Sequence, residues 1–131
     1  MEFETIENVI DKIIDNDTTL GKYNDCEYFE LSEEEKRVKL FKAIKEIPPL
    51  LDRETIFNDI LEDNKMEPQF CIIELTCLFM ELEEMGVTSL EGIKRYKVGE
   101  IEVELDKYYN QLTQIVNKYC NEYYYGCWSR C

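Results

Sequence analysis

The stretch from Pro68 to Met85, Pro-Gln-Phe-Cys-Ile-Ile-Glu-Leu-Thr-Cys-Leu-Phe-Met-Glu-Leu-Glu-Glu-Met, constrains the fold more than any other part of the chain. Its first three turns are apolar on nearly every side, so as a helix it needs neighbours all round rather than along one stripe. Pro68 suits a first helical turn and Gly86 the position just beyond a helix end. Glu74 and Glu81, inside so short a run, argue against a membrane span. The expectation is a buried central helix over 68–85, and the remaining segments must supply its cover.

Those segments read as helices. Phe3, Ile6, Val9, Ile10, Ile13 and Ile14 recur at spacings of three and four and predict an amphipathic helix over 3–15. The run Asp15-Asn16-Asp17-Thr18-Thr19, followed by Gly21 and Asn24-Asp25, competes for its own backbone hydrogen bonds and predicts a long connection, pinned to the core by Tyr23, Tyr28, Phe29 and Leu31. Ser32 with Glu35 is a capping box that starts a helix at Glu33, with Val38, Leu40, Phe41, Ile44 and Ile47 as its apolar positions. Pro48-Pro49 stops it. Asp52 suits an N-cap for a short helix carrying Ile56, Phe57, Ile60 and Leu61, broken at Asn64-Lys65. Thr88 with Glu91 predicts a further short helix ending near Tyr96. Ile101, Leu105, Tyr108, Leu112, Ile115 and Tyr119 predict a long helix over about 100–122, while the alternation Ile101-Glu102-Val103-Glu104-Leu105 leaves a hairpin starting near Tyr96 as the alternative.

With 131 residues, 44% apolar content and 12% aromatics, the chain has material for one core. The expected class is all-α: one acidic helical domain over 1–131, a single bundle of five to six helices around the helix 68–85.

The chain has no histidine, which excludes Ser-His-Asp and Cys-His nucleophile pairs, His-ligated zinc and an imidazole pH switch. Its five glycines are too scattered to cradle a phosphate. A net charge of −14 and a pI near 4.4 argue against direct binding to nucleic acid or to anionic lipid. The charge is blocky. Residues 1–35 hold 12 acids and 2 bases, residues 36–45 hold 5 bases and no acid, and residues 46–91 again hold 12 acids and 2 bases. The acidic start Met-Glu-Phe-Glu-Thr-Ile-Glu does not resemble a signal peptide. A cytoplasmic protein is therefore expected, with Cys26, Cys71, Cys77, Cys120, Cys127 and Cys131 as reduced thiols.

Several groups invite a chemistry. The C-terminal cysteines have the spacing C-x6-C-x3-C, which is not that of a zinc ribbon even with Cys26 as a fourth ligand, and no C-x-x-C occurs. No metal and no cofactor is expected. Cys71 and Cys77 read as small core residues on the buried helix, and Met80 and Met85 with Phe79 as core rather than a ligand groove. Carboxylate pairs such as Glu81 with Glu84 or Asp59 with Asp63 share a helix face, as they do on any acidic helix, and no calcium loop is present. Two surfaces remain. One is an acidic patch of Glu54, Asp59, Glu62, Asp63, Glu67, Glu81, Glu83 and Glu84, which fits a basic protein partner through complementary potential. The other is an aromatic set, Tyr123, Tyr124, Tyr125 and Trp128, that either anchors an interface or tucks onto the bundle.

In size, acidity and absence of catalytic groups the chain is similar to small acidic inhibitors such as the bacterial immunity proteins that neutralise a basic nuclease toxin. That resemblance implies a non-enzymatic inhibitor whose carboxylates meet the lysines and arginines of its partner. The alternatives are a nucleic-acid-mimicking viral anti-defence protein and a structural or regulatory helical protein that pairs through its aromatic C-terminal segment.

Overall fold

The computed structural model describes residues 2–22, 26–47, 51–84 and 99–123. Within them the protein is all-α, with no strand. The helices are α1 (Glu2–Asp15), α2 (Asp17–Gly21), α3 (Glu33–Lys45), α4 (Arg53–Asp63), α5 (Met66–Glu84) and α6 (Gly99–Cys120), with 3-10 turns η1 (Glu27–Glu30) and η2 (Asn121–Tyr123). Helix α5 is packed against α3, α4, α6 and η1, while α1 lies across α3 and α4. Cys71, Ile72, Ile73, Leu75, Leu78, Phe79 and Leu82 are all buried on α5, around most of its circumference. The helix starts two residues before the expected Pro68, which sits in its first turn, where a missing N–H has no intrahelical acceptor to lose.

Local chemistry sets the helix ends. The Ser32 hydroxyl accepts from the Glu35 N–H at 3.2 Å and donates to the Glu35 carboxylate at 3.0 Å. Asp52 accepts from the Thr55 N–H at 3.2 Å and from its hydroxyl at 2.7 Å. Asn64 closes α4 in the left-handed region at φ 51°, its N–H reaching the Ile60 carbonyl at 3.1 Å, which reverses the chain into α5 within two residues.

The Asp15–Thr19 cluster does end α1, but the long irregular connection is replaced by α2 and then η1. The reason is that the polar side chains find tertiary partners. Asn16 donates to Asn64 Oδ1 at 2.7 Å and to Gln69 Oε1 at 2.8 Å, and Gln69, fully buried, donates to the Lys65 carbonyl at 2.9 Å. The α1–α2 turn is thereby knotted to the α4–α5 turn. Asp17 accepts from the Tyr28 hydroxyl at 3.3 Å and from the Lys36 ammonium, which stands 5.5 Å from the centre of the buried Tyr28 ring. That second knot joins α2, η1 and α3.

Two apolar registers differ from expectation. On α3 the buried stripe is Leu40, Ala43, Ile44 and Ile47, and Val38 is 63% exposed. Two residues from Leu40 is about 200° around a helix, on the far side. Near the end of the chain Leu112, Val116, Cys120 and Tyr123 are buried, whereas Ile115 and Tyr119 only flank the core. Backbone 99–105 is helical, so the hairpin alternative does not hold there. The short helix expected to end near Tyr96, Met85 and the Pro48-Pro49 stop lie outside the described residues.

Ile73→Ala should cost about 2–5 kcal/mol of unfolding free energy, because the site is enclosed on all sides. Val38→Ala should stay within about 0.5 kcal/mol. Urea denaturation of both variants checks the assigned faces.

Candidate functional site

The basic run of α3 determines how much acidity the surface keeps. Lys36 pairs with Asp17, Arg37 lies 2.7 Å from Asp11 and 3.9 Å from Glu33, and Lys39 and Lys42 reach Glu83 at 2.8 and 3.0 Å. The Lys45 ammonium lies 5.4 Å from the Phe41 ring centre. Burial by itself would raise the Glu83 carboxyl, but the hydrogen bonds from Lys39 and Lys42 outweigh it and lower its pKa. Glu83 is thus a clamp between α3 and α5 rather than a free docking group.

Asp59 is likewise engaged inside the fold. It accepts from the Tyr123 hydroxyl at 2.5 Å and has Lys65 at 3.5 Å. Tyr123 is buried, its carbonyl accepts from the Asp52 N–H at 2.6 Å, and its phenol is pushed up by burial and then by the Asp59 carboxylate. The residue expected at an aromatic interface is a core anchor that holds η2 against α4. Tyr124, Tyr125 and Trp128 lie outside the described residues.

The other six patch residues, Glu54, Glu62, Asp63, Glu67, Glu81 and Glu84, are exposed, and among the described residues none has a cation at salt-bridge distance. They do not form one cluster. Glu62, Asp63 and Glu67 flank the α4–α5 turn, and Glu54 lies roughly 12 Å back along α4. Glu81 and Glu84 lie at the other end of α5, roughly 21–26 Å from Glu67 by helix rise.

At that second end the surface is concave. A groove of about 470 Å³ runs beside α5, with Glu74, Cys77, Glu81 and Glu84 in line along one wall, Gln111 and Ile115 of α6 opposite, and Glu27 at the η1 side. Leu78 and Met80 give it apolar lining. Oε2 of Glu74 is buried and has no hydrogen-bond partner among the described residues, and the Lys118 ammonium of α6 interacts with this carboxylate electrostatically. Sequence reading passed over Glu27 and Glu74. The spacing of Glu74, Cys77, Glu81 and Glu84 by three and four was the available signal, a polar line on an otherwise apolar helix.

Cys26 and Cys77 form a disulfide that fastens η1 to α5 at the edge of this groove, with Cα atoms 6.3 Å apart. This overturns the expectation of reduced thiols at Cys26 and Cys77, and of Cys77 as a plain core residue; Cys127 and Cys131 lie outside the described residues. Two cysteines 51 residues apart meet because η1 packs on α5, which no sequence spacing displays. Cys71 and Cys120 are free and buried. Their mutual hydrogen bond, and then burial, raise the Cys71 thiol, which suits a structural residue rather than a nucleophile. Among the described residues no three His, Cys, Asp or Glu side chains gather as a metal site, and no helix is long and apolar enough to cross a membrane. Compared with protein-family models, curated proteins and solved structures, the chain matches none.

Two outcomes follow from this geometry. Replacing Cys26 and Cys77 by serine should cost up to about 4 kcal/mol, the chain-entropy estimate for so long a loop, measured by denaturation with and without reductant. For Glu83, a carboxyl whose pKa is lower in the folded chain contributes stability above its unfolded pKa and loses it as pH falls through the folded one. Glu83→Gln should therefore be less stable than the wild type by about 1 kcal/mol at neutral pH. The difference should shrink below the ordinary glutamate range, as urea titrations at several pH values would show.

Proposed function

We propose that this chain is a non-enzymatic acidic binding protein that inhibits a basic protein partner, as an immunity protein neutralises a nuclease toxin. The observation that supports this most is how the charge is divided. Helix α3, the only basic block before residue 92, is turned onto Asp11, Asp17, Glu33 and Glu83. Four of its five cations are paired within the fold. Six patch carboxylates meanwhile face solvent with no cation at salt-bridge distance among the described residues, a state that costs self-repulsion and favours an outside partner of opposite sign. Carboxylates so placed would pair with the lysines and arginines that a nuclease uses to hold phosphate.

The separation of the two acidic ends of α5 favours a compact partner that bridges them over mimicry of a duplex, whose phosphates recur every few ångströms. The Cys26–Cys77 bridge belongs to oxidising surroundings and weighs against the cytoplasmic location expected from the N-terminal residues.

Affinity capture from the native host's lysate at low and high salt tests the proposal. One basic protein held stoichiometrically, with nuclease activity that the chain suppresses, is the expected result. Its association rate should fall about tenfold or more between about 50 and 500 mM salt, and further in Glu62→Gln/Asp63→Asn/Glu67→Gln. Association that is indifferent to both salt and these substitutions would refute the proposal.

A further inference from the structure

We infer that α3 is a self-association surface, pairing antiparallel with α3 of a second copy of this chain about a twofold axis. The inference stands apart from the inhibitor reading, because it uses none of the acidic patch on α4 and α5. Among the described residues the large apolar side chains left exposed are Phe3, at 61%, and Val38, at 63%. They belong to one patch. Phe3 of α1 meets Phe41 of α3 edge-on, with ring centres 5.6 Å apart, and Val38 precedes Phe41 by one turn of α3. Glu34 and Lys45, both exposed, extend the same line, so that Glu34, Val38, Phe41 and Lys45 recur at steps of four, three and four. At about 100° per residue these four lie within about 60° of one another, on the side of α3 away from the buried Leu40, Ala43, Ile44 and Ile47. Alternating steps of four and three are the seam of a two-helix coiled coil. The core of this fold is built from the other face.

The order of charges along the seam names the occupant. Acid, apolar, apolar, base complements itself when one copy is turned end to end, as a twofold axis requires. With the axis midway between positions 38 and 41, Val38 meets Phe41 of the second copy and Glu34 meets its Lys45, each contact being made twice. Both charged groups are available for this. Neither Glu34 nor Lys45 has an opposite charge at salt-bridge distance among the described residues, and the Lys45 ammonium rests 5.4 Å from the centre of its own Phe41 ring. The other four cations of α3 are held by Asp11, Asp17, Glu33 and Glu83. A parallel pair would set Glu34 on Glu34 and Lys45 on Lys45, which like charge opposes. The run 36–45 holds five bases and no acid, so on a chain of net charge −14 it is a stretch where an equally acidic copy can approach with little repulsion. Four seam positions and one flanking ring fall short of the roughly 800 Å² per partner of a stable complex, so the dimer is a weak and reversible one.

Sedimentation equilibrium of the full oxidised chain, at about 0.15 M salt, tests the inference; remote acids are then screened while charges in contact are not. The mass is expected to rise with concentration from 15.7 kDa towards twice that value, as one monomer–dimer equilibrium with a dissociation constant of about 10–100 µM. Val38→Glu places a charge in the apolar centre of the seam and should weaken dimerisation at least about tenfold. Glu34→Lys and Lys45→Glu should each weaken it about tenfold, whereas Glu34→Lys/Lys45→Glu in one chain should restore it to within about threefold of wild type. That restoration is a readout which damage to the fold would not produce. All three positions are exposed, so circular dichroism of the variants should match the wild type. If Val38→Glu loses helical signal, the charge exchange decides alone. A mass that stays at 15.7 kDa over the whole concentration range overturns the inference. So does a dimer that is indifferent to Val38→Glu, or one that the double exchange leaves as weak as the single ones. The inhibitor reading fails separately, on the capture of a basic partner, which no result here affects.

Discussion

A helix that is apolar around most of its circumference must be enclosed, and in this protein the enclosure of α5 determines where everything else can be. Helices α3, α4 and α6 and the turn η1 each cover part of it, and α1 in turn covers α3 and α4. The few polar side chains on α5 are then not free to be placed at will. Gln69 is buried and must be fully hydrogen-bonded, which it achieves through Asn16, Asn64 and the Lys65 carbonyl. Glu83 is half-buried and is met by two lysines of α3. Thr76 bonds back to the Ile72 carbonyl at 2.8 Å. Glu74 stands apart, with one buried oxygen unmatched by any donor among the described residues.

The same enclosure explains why the net charge of the molecule is expressed so unevenly. Covering α5 with α3 brings the basic block of the chain against Glu83, and covering α3 with α1 and α2 brings Asp11 and Asp17 to Arg37 and Lys36. Four of the five cations of that block are paired as the bundle closes. What reaches solvent from α4 and α5 is their acids less Glu83 and Asp59, which are engaged inside the fold, and much of it lies towards the two ends of α5.

Helix existence was legible from sequence because it depends on local chemistry. Ser32 with Glu35, Asp52 with Thr55, and Asn64 act within a few residues of themselves and mark their helix ends as expected. The enclosure of 68–85 was legible because it is written in one segment. Pairings between distant residues were not. Nothing in the neighbourhood of Tyr123 announces Asp59, 64 residues away, and nothing near Cys26 announces Cys77. Tyr123 was left between an interface and the bundle because a tyrosine among tyrosines gives no sign of which ring turns inward. The register at the end of α6 was misjudged for a related reason. Ile115 and Tyr119 fit a three-and-four rhythm as well as Val116 and Cys120 do, and only the direction of α5 chooses between them.

Acids at the C-terminal end of a helix oppose its dipole, typically by 0.3–1 kcal/mol each, and Glu81, Glu83 and Glu84 all occupy the last turn of α5. Glu83 recovers that cost through Lys39 and Lys42. Glu81 and Glu84 have no such compensation among the described residues, and Glu74 adds a buried acceptor without a donor on the same face. Stability alone would favour glutamine or lysine at these positions. Along this face of α5, beside an apolar-lined groove held by a disulfide, Lys118 of α6 is the described cation that interacts with Glu74, while the two exposed acids of the last turn stay set against the helix dipole.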